Sequence, residues 1–294
     1  MNKKVVVHLH DYIPISYTAV VLAPYEEHKH RIVQDDVFLE CMKGFKYCLG
    51  VSLFWWLPKL ARKWILQADK IICVSKRQAE IVTDQIPELR DRIEVVYNPL
   101  PPKIVNNEPR KELDYTPTFL YVGGDSYIKG FHILLQALKE LGKQGIKARF
   151  ILTNRYSLRN LEILKRLSGK YRNLEIQVVG RVSYEKLLEI HKKAWALLFP
   201  SIYEETFGYA VLEASLSATI PIASRVGGVP ELLGGTIAQQ YTISPGSAED
   251  LVKRVVEIFS LDANEIKVLG YKLRNEVLQR LNPSGVEKKI FEIF

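Results

Sequence analysis

The chain has little that would staple it, carry it across a bilayer or hold a metal. Its three cysteines, Cys41, Cys48 and Cys73, are an odd number without close ligand spacing. That pattern excludes a disulfide framework or a zinc ribbon and reads as reduced thiols in a cytosolic protein. Long apolar runs are missing too. The longest, CLGVSLFWWL, is too short to cross a hydrocarbon core of about 30 Å as a helix. The start, MNKKVVVHLHDYIP, has two lysines but a short apolar run broken by His8 and His10, the pattern of a β-strand rather than a secretory leader. No Asp-x-Asp pair and no cluster of metal ligands occurs, so nothing in the sequence asks for a divalent ion or another cofactor. Internal repeats and low-complexity tracts are absent.

What is present fits a globular protein. Hydrophobic residues make up 47% of 294 and charged ones 25%, enough chain for two ordinary domains with their own cores. The net charge of +8 favours phosphate-bearing partners, whether nucleotides, nucleic acid or anionic membrane. No recognition helix or base-stacking motif supports nucleic acid.

From Thr118 onward short β runs alternate with helical patterns: TFLYVGG, ARFILTN, LEIQVVG, WALLFPS and IPIAS as strands, with amphipathic stretches between them. This is the sign of βαβ units in a parallel sheet covered on both faces, and QQYTISP reads as one more strand. The first hundred residues repeat the pattern in KKVVVHLHD, DKIICVS and RIEVVYN. The expected organisation is an α/β chain with a short first domain over 1–100 and a Pro- and Asn-rich linker over 101–117. A second, doubly wound domain follows over 118–280, then a closing helix over 281–294.

Ligands of such sheets sit at strand ends beside helix N-termini, and three stretches fall there. In YVGGDSYIKG, Gly123 and Gly124 end a strand and Lys129 opens a helix, though a Gly-Gly pair also marks an ordinary turn. VVGRVS ends another strand, with Ser183 placed to cap a helix. In PSIYEETFGYAVLEASLSATIPIASRVGGVPELL, Gly208 and Tyr209 would present helix amides, with Glu205 before them and Glu213 after. Amides at a helix N-terminus favour a diphosphate, and the carboxylates suit sugar hydroxyls, which are donors. The plainer reading, that Glu204 and Glu205 are helix-start acids favoured by the dipole, stays open.

The last string resembles the E-x(7)-E region of the retaining glycosyltransferases of family four, which have the GT-B fold. HLHDY, ADKIICVSKRQAEIV, RIEVVYNPL, YVGGDSYIKG and VVGRVSYEKLLEIHKKAWALLFPS resemble that family's other blocks in order. The resemblance implies two Rossmann-like domains facing a cleft and a nucleoside-diphosphate-sugar donor bound without metal. It gives Glu213 the ribose and Glu205 the transferred sugar. The amides around Phe207, Gly208 and Tyr209 would meet phosphates and sugar, with the Gly123–Gly124 loop beside them. Lys129 would hold the diphosphate, Arg181 and Val182 the base, and His10 would face the donor sugar. His10, Glu205 and Lys129 are thus the expected catalytic set.

Two departures from the family stand out. Gly124 occupies a position commonly held by Arg, with Arg225 as a substitute cation. The first domain is short, so the acceptor side is expected to be small or completed by a partner chain. Finally, KGFKYCLGVSLFWWLPKLARKWILQADK mixes Lys and Arg with tryptophans. It suits an anionic membrane interface and a lipid-linked acceptor, or equally a core helix with a solvated basic face. The sequence leads to a retaining transferase moving sugar to a glycan or lipid-linked acceptor, cytoplasmic or peripheral on the inner membrane face. The alternative is a non-catalytic sugar-nucleotide-binding subunit of a transferase complex.

Overall fold

The computed structural model describes residues 4–106, 108–281, 286, 288 and 289. In the first half, β1 (Val6–Leu9), β2 (Lys70–Cys73) and β3 (Ile93–Val95) form a parallel sheet in that order. Between β1 and β2 lie α1 (Tyr25–His28), α2 (Ile32–Lys43), α3 (Phe45–Phe54) and α4 (Leu57–Ile65). The chain then runs through α5 (Lys76–Gln85) to β3 and on to a one-turn α6 (Pro102–Val105). Ser75 starts α5 by accepting the Gln78 amide, the usual service of an N-cap hydroxyl. Buried Asp36 fixes the loop ahead of it, accepting from Ser16 Oγ at 2.7 Å and from the Tyr17 and Thr18 amides at 2.8 and 3.0 Å.

Cys41 and Cys48 form a disulfide between α2 and α3, which corrects the expectation of three reduced thiols. The two helices turn back on each other at Gly44 (φ 127°), a proximity that cysteine spacing alone does not reveal. Cys73 stays free and buried. Cysteine usage therefore gives no argument for a reducing compartment.

The second half holds β4 (Thr118–Tyr121), β5 (Ala148–Thr153), β6 (Leu174–Gly180), β7 (Ala196–Phe199) and β8 (Ile220–Ala223) in the order β6-β5-β4-β7-β8, all parallel. Its helices are α7 (Phe131–Lys143), α8 (Leu158–Lys170), α9 (Tyr184–Lys193), α10 (Tyr209–Leu216), α11 (Val229–Leu233), α12 (Ala248–Phe259) and α13 (Ala263–Leu281). Every residue of β4, β7 and β8 is buried, because helices cover both faces of the sheet. Strand order reverses between β4 and β7, where open sheets place their ligands. QQYTISP is not a strand: Ile237–Tyr241 is a 3-10 turn capped by Thr236, and only Ile243 bridges to Ser224.

The linker is fastened to the second half. Buried Arg274 donates to the carbonyls of Ile104 and Val105, each at 3.0 Å. Lys111 is buried and donates to the His191 and Ala194 carbonyls at 2.5 and 2.6 Å and to Thr219 Oγ1 at 3.0 Å. Burial, and then the Lys111 charge, hold His191 down to about 3. The native imidazole stays neutral while an unfolded one takes a proton below its ordinary pKa. Its contribution is therefore intact above about pH 6.5 and is lost as pH falls towards 3. Denaturant midpoints between pH 7 and 4 should fall less steeply for His191→Leu than for the wild type.

The halves meet along a seam. Leu22 and Tyr203 form an antiparallel bridge, with the Ala23 amide donating to Ile202 O at 2.9 Å and the Glu204 amide to Val21 O at 2.8 Å. Glu204, 3% exposed, accepts from the Tyr25 amide at 2.8 Å and the Gly227 amide at 2.7 Å, with Arg77 Nη2 at 3.3 Å. Glu231 accepts from the Lys76 and Arg77 amides at 3.0 and 2.8 Å, and so caps α5 from the other half. Most of the expected closing helix over 281–294 lies outside the described residues. Of its described part, Val286 packs with Ile72 and Val96 of the first half, and Lys289 donates to Val95 O at 2.8 Å.

Candidate donor site

A cavity of about 330 Å³ opens at the reversal of strand order. Tyr121, Val122 and Gly123 line it from the end of β4, Leu198 and Phe199 from β7, and Tyr209, Ala210 and Glu213 from α10, with Lys129 and Glu205 between. Gly123 is required by close packing: a Cβ there would lie 2.4 Å from Tyr121 Oη and 2.8 Å from Lys129 Cβ. Gly208 stands before α10 in the left-handed region (φ 87°) and offers no side-chain cap. The first turn of α10, at Tyr209 and Ala210, therefore lines the cavity without a competing side chain. That arrangement suits an anion.

Two carboxylates share the cavity in different states. Glu205 is buried and fully engaged: it accepts from Lys129 Nζ at 2.7 Å, Ser201 Oγ at 2.9 Å and Tyr203 Oη at 2.6 Å. Burial and then the Glu205 charge push the Tyr203 phenol far above its ordinary value, so Tyr203 remains a proton donor. Lys129 also donates to Tyr203 Oη at 3.1 Å and lies 4.8 Å from the centre of its ring. Glu213 has no cation beside it among the described residues. Burial raises its pKa, and the Tyr184 hydroxyl pulls the other way. A carboxylate set in a partly buried wall without a cation is matched by hydroxyl donors of a ligand.

Gly227 and Gly228 pack on the backbone at Glu205–Phe207. A Cβ at Gly227 (φ 51°) would sit 1.8 Å from Glu205 O, and the Gly228 amide donates to that oxygen at 2.8 Å.

The structure thus gathers Gly123, Lys129, Glu205, Tyr209 and Glu213 around one space. Phe207 turns its side chain into the core, with its ring 5.9 Å from that of Tyr97. Arg181 is exposed and does not line the cavity, while Val182 packs on the neighbouring core. His10 is brought to the seam by its carbonyl, which accepts from Thr206 Oγ1 at 3.1 Å, while its ring lies 4.2 Å from that of His8. Gly124 (φ 62°) would bring a Cβ to 2.9 Å from Arg155 O, so an arginine at that place is strained. Arg225 does not replace it: its guanidinium donates to Ser244 Oγ at 2.8 Å, and it lies outside the cavity lining. Ser201, Tyr203 and Tyr184 were not singled out by the sequence. The first two stand four and two positions before Glu205 in PSIYEE, a spacing that could have flagged them.

A family model, Glycosyl transferases group 1, matches residues 105–275, more than half of the chain. The chain belongs to this family of glycosyltransferases. Among its curated relatives is the gpi3 subunit of the phosphatidylinositol N-acetylglucosaminyltransferase of Schizosaccharomyces pombe, 24% identical over 176 residues, which cover 60% of this chain and 38% of that protein. The chain thus spans well under half of that relative. HepE of Anabaena, solved with UDP and glucose, superposes with a TM-score of 0.66 at 17% identity, covering 99% of this chain and 71% of HepE. TarM of S. aureus, solved with UDP, gives 0.66 at 15%, covering 79% and 46%. These likenesses define the fold as GT-B, with Rossmann-like parallel sheets.

Proposed function

We propose that the chain is a retaining transferase that takes a sugar from a nucleoside-diphosphate sugar, without a resident metal, and passes it to an acceptor at the seam. The observation that carries this reading is the convergence of Lys129, Glu205, Glu213 and the start of α10 on one cavity. Glu213 accepts the ribose hydroxyls, and the α10 amides with Lys129 take the diphosphate. In the transfer the bond from the anomeric carbon to the phosphate oxygen breaks and its electron pair stays on the diphosphate, while the acceptor hydroxyl oxygen bonds to the same face and its proton passes to the departing diphosphate oxygen. Lys129 and the helix start meet the charge that develops on the leaving group, and Glu205 with its hydroxyl partners holds Lys129 in place. UDP is the first nucleotide to test, since HepE and TarM were each solved with it.

At a concentration near 100 Kd, UDP should stabilise the fold by about 2.7 kcal/mol, read as a rise in melting temperature. No shift with UDP, GDP, ADP or their sugars would sink the donor-site reading. Glu213→Ala should weaken nucleotide affinity by about tenfold or more, the worth of hydrogen bonds to a charged group. It should leave kcat nearly unchanged, because the ribose contacts persist through the reaction. Two observations favour a second reading, a sugar-nucleotide-binding subunit: Lys129 is already paired with Glu205, and Gly124 supplies no second cation. Hydrolysis of UDP-sugar by the wild type, beside calorimetric UDP binding, separates the two.

A further inference from the structure

Helix α3 buries only Val51 of its ten residues. Phe45 is 82% exposed, and Leu53, Phe54, Trp55 and Trp56 are exposed beside it, with Trp64 on α4. So many large apolar side chains on one short segment exceed the scattered exposure normal for a monomer's surface. Between Glu40 and Asp69 the chain has five basic residues, Lys43, Lys46, Lys59, Arg62 and Lys63, and no acidic one. Lys59 lies 4.5 Å over the Trp55 ring. Among the described residues no helix is long and apolar enough to cross a membrane. Tryptophan beside lysine on a helix that lies along the surface is the chemistry of an interface between water and anionic lipid.

The face also leads to the site. At the end of α2, Leu39, Met42 and Lys43 form one wall of a groove of about 460 Å³, and Asp125–Ile128 form the other. The residue that follows this second wall in the chain is Lys129, which lines the donor cavity. The groove and the cavity therefore flank a single loop.

We propose that α3 and α4 seat the protein on an anionic lipid bilayer, and that the acceptor is membrane-borne and enters through this groove. The second half rests on the transferase reading above; the first does not. Vesicles of phosphatidylcholine with and without phosphatidylglycerol provide the test. The full chain should sediment with the anionic vesicles, weakly with the neutral ones, and less as salt rises. A Lys59→Glu/Lys63→Glu variant should lose more than about tenfold in vesicle affinity while its UDP-induced melting shift is kept. Trp64→Ser should also weaken binding. Equal sedimentation with both vesicles, none with either, or a double variant that binds as the wild type does would overturn the docking surface. So would concentration-dependent dimerisation lost in Trp64→Ser, which would show a second copy covering the face. For the acceptor, sugar transfer from UDP-sugar into vesicles carrying membrane lipid extract should fall with the Lys59→Glu/Lys63→Glu variant. Docking and UDP binding without any lipid product would refute the membrane-borne acceptor alone.

Discussion

Lys129→Ala is expected to lower donor turnover by about 10²–10³-fold, the usual loss when a preorganised partner of a developing anion is removed. Among the described residues Lys129 is the one cation in the cavity lining, so no neighbour there takes over its charge. The substitution has a second effect that must be separated from the first. It leaves the buried Glu205 carboxylate with Ser201 and Tyr203 but without its ammonium partner. A carboxylate stranded in this way costs stability. The Glu205→Gln/Lys129→Ala double variant removes that stranded charge, so its melting temperature should recover relative to Lys129→Ala while turnover stays low. Turnover near that of the wild type in a folded Lys129→Ala protein would exclude Lys129 from the chemistry.

Gly227→Ala should destabilise the protein by about 3 kcal/mol or more, among the larger effects of a single substitution. Two causes add. The residue sits at φ 51°, and the new methyl would fall 1.8 Å from Glu205 O, with Glu205 N at 2.5 Å. Those are backbone atoms, with no flexible side chain to move aside. Relief requires shifting the Glu205 peptide, which also carries the Gly228 hydrogen bond and aims the carboxylate at Lys129. Protein that still folds should therefore lose turnover. Alanine at Gly145, where nothing lies within 4 Å but φ is 74°, controls for backbone strain alone. Equal losses at the two positions in denaturant melts would show that contact with Glu205 is irrelevant.

The second sheet was legible because three of its strands, β4, β7 and β8, are buried on both faces. TFLY, ALLF and IPIA then appear as unbroken apolar runs between amphipathic helices. QQYTISP misled because alternation of polar and apolar residues is shared by a strand and a capped 3-10 turn, and the Thr236 hydroxyl decided for the turn. The cluster around Glu205 and Glu213 was visible as a motif, since both lie within one loop and the helix after it. Long-range partners were not. Glu231 meets the amides of Lys76 and Arg77 more than 150 positions away, and nothing local in VPELL announces that. Nor does the Gly-Gly pair before it announce that it lets the Glu205 peptide approach.

The seam has a consequence for motion. The amides of Ala23, Tyr25, Lys76, Arg77 and Glu204 are each satisfied by an acceptor in the opposite half. Hydrogen exchange at these five sites is governed by separation of the halves, while amides inside β4 or β7 exchange only when the sheet itself opens. The protein therefore carries its own clock for cleft breathing, read amide by amide, and a nucleotide that stiffens the second half alone would leave that clock running.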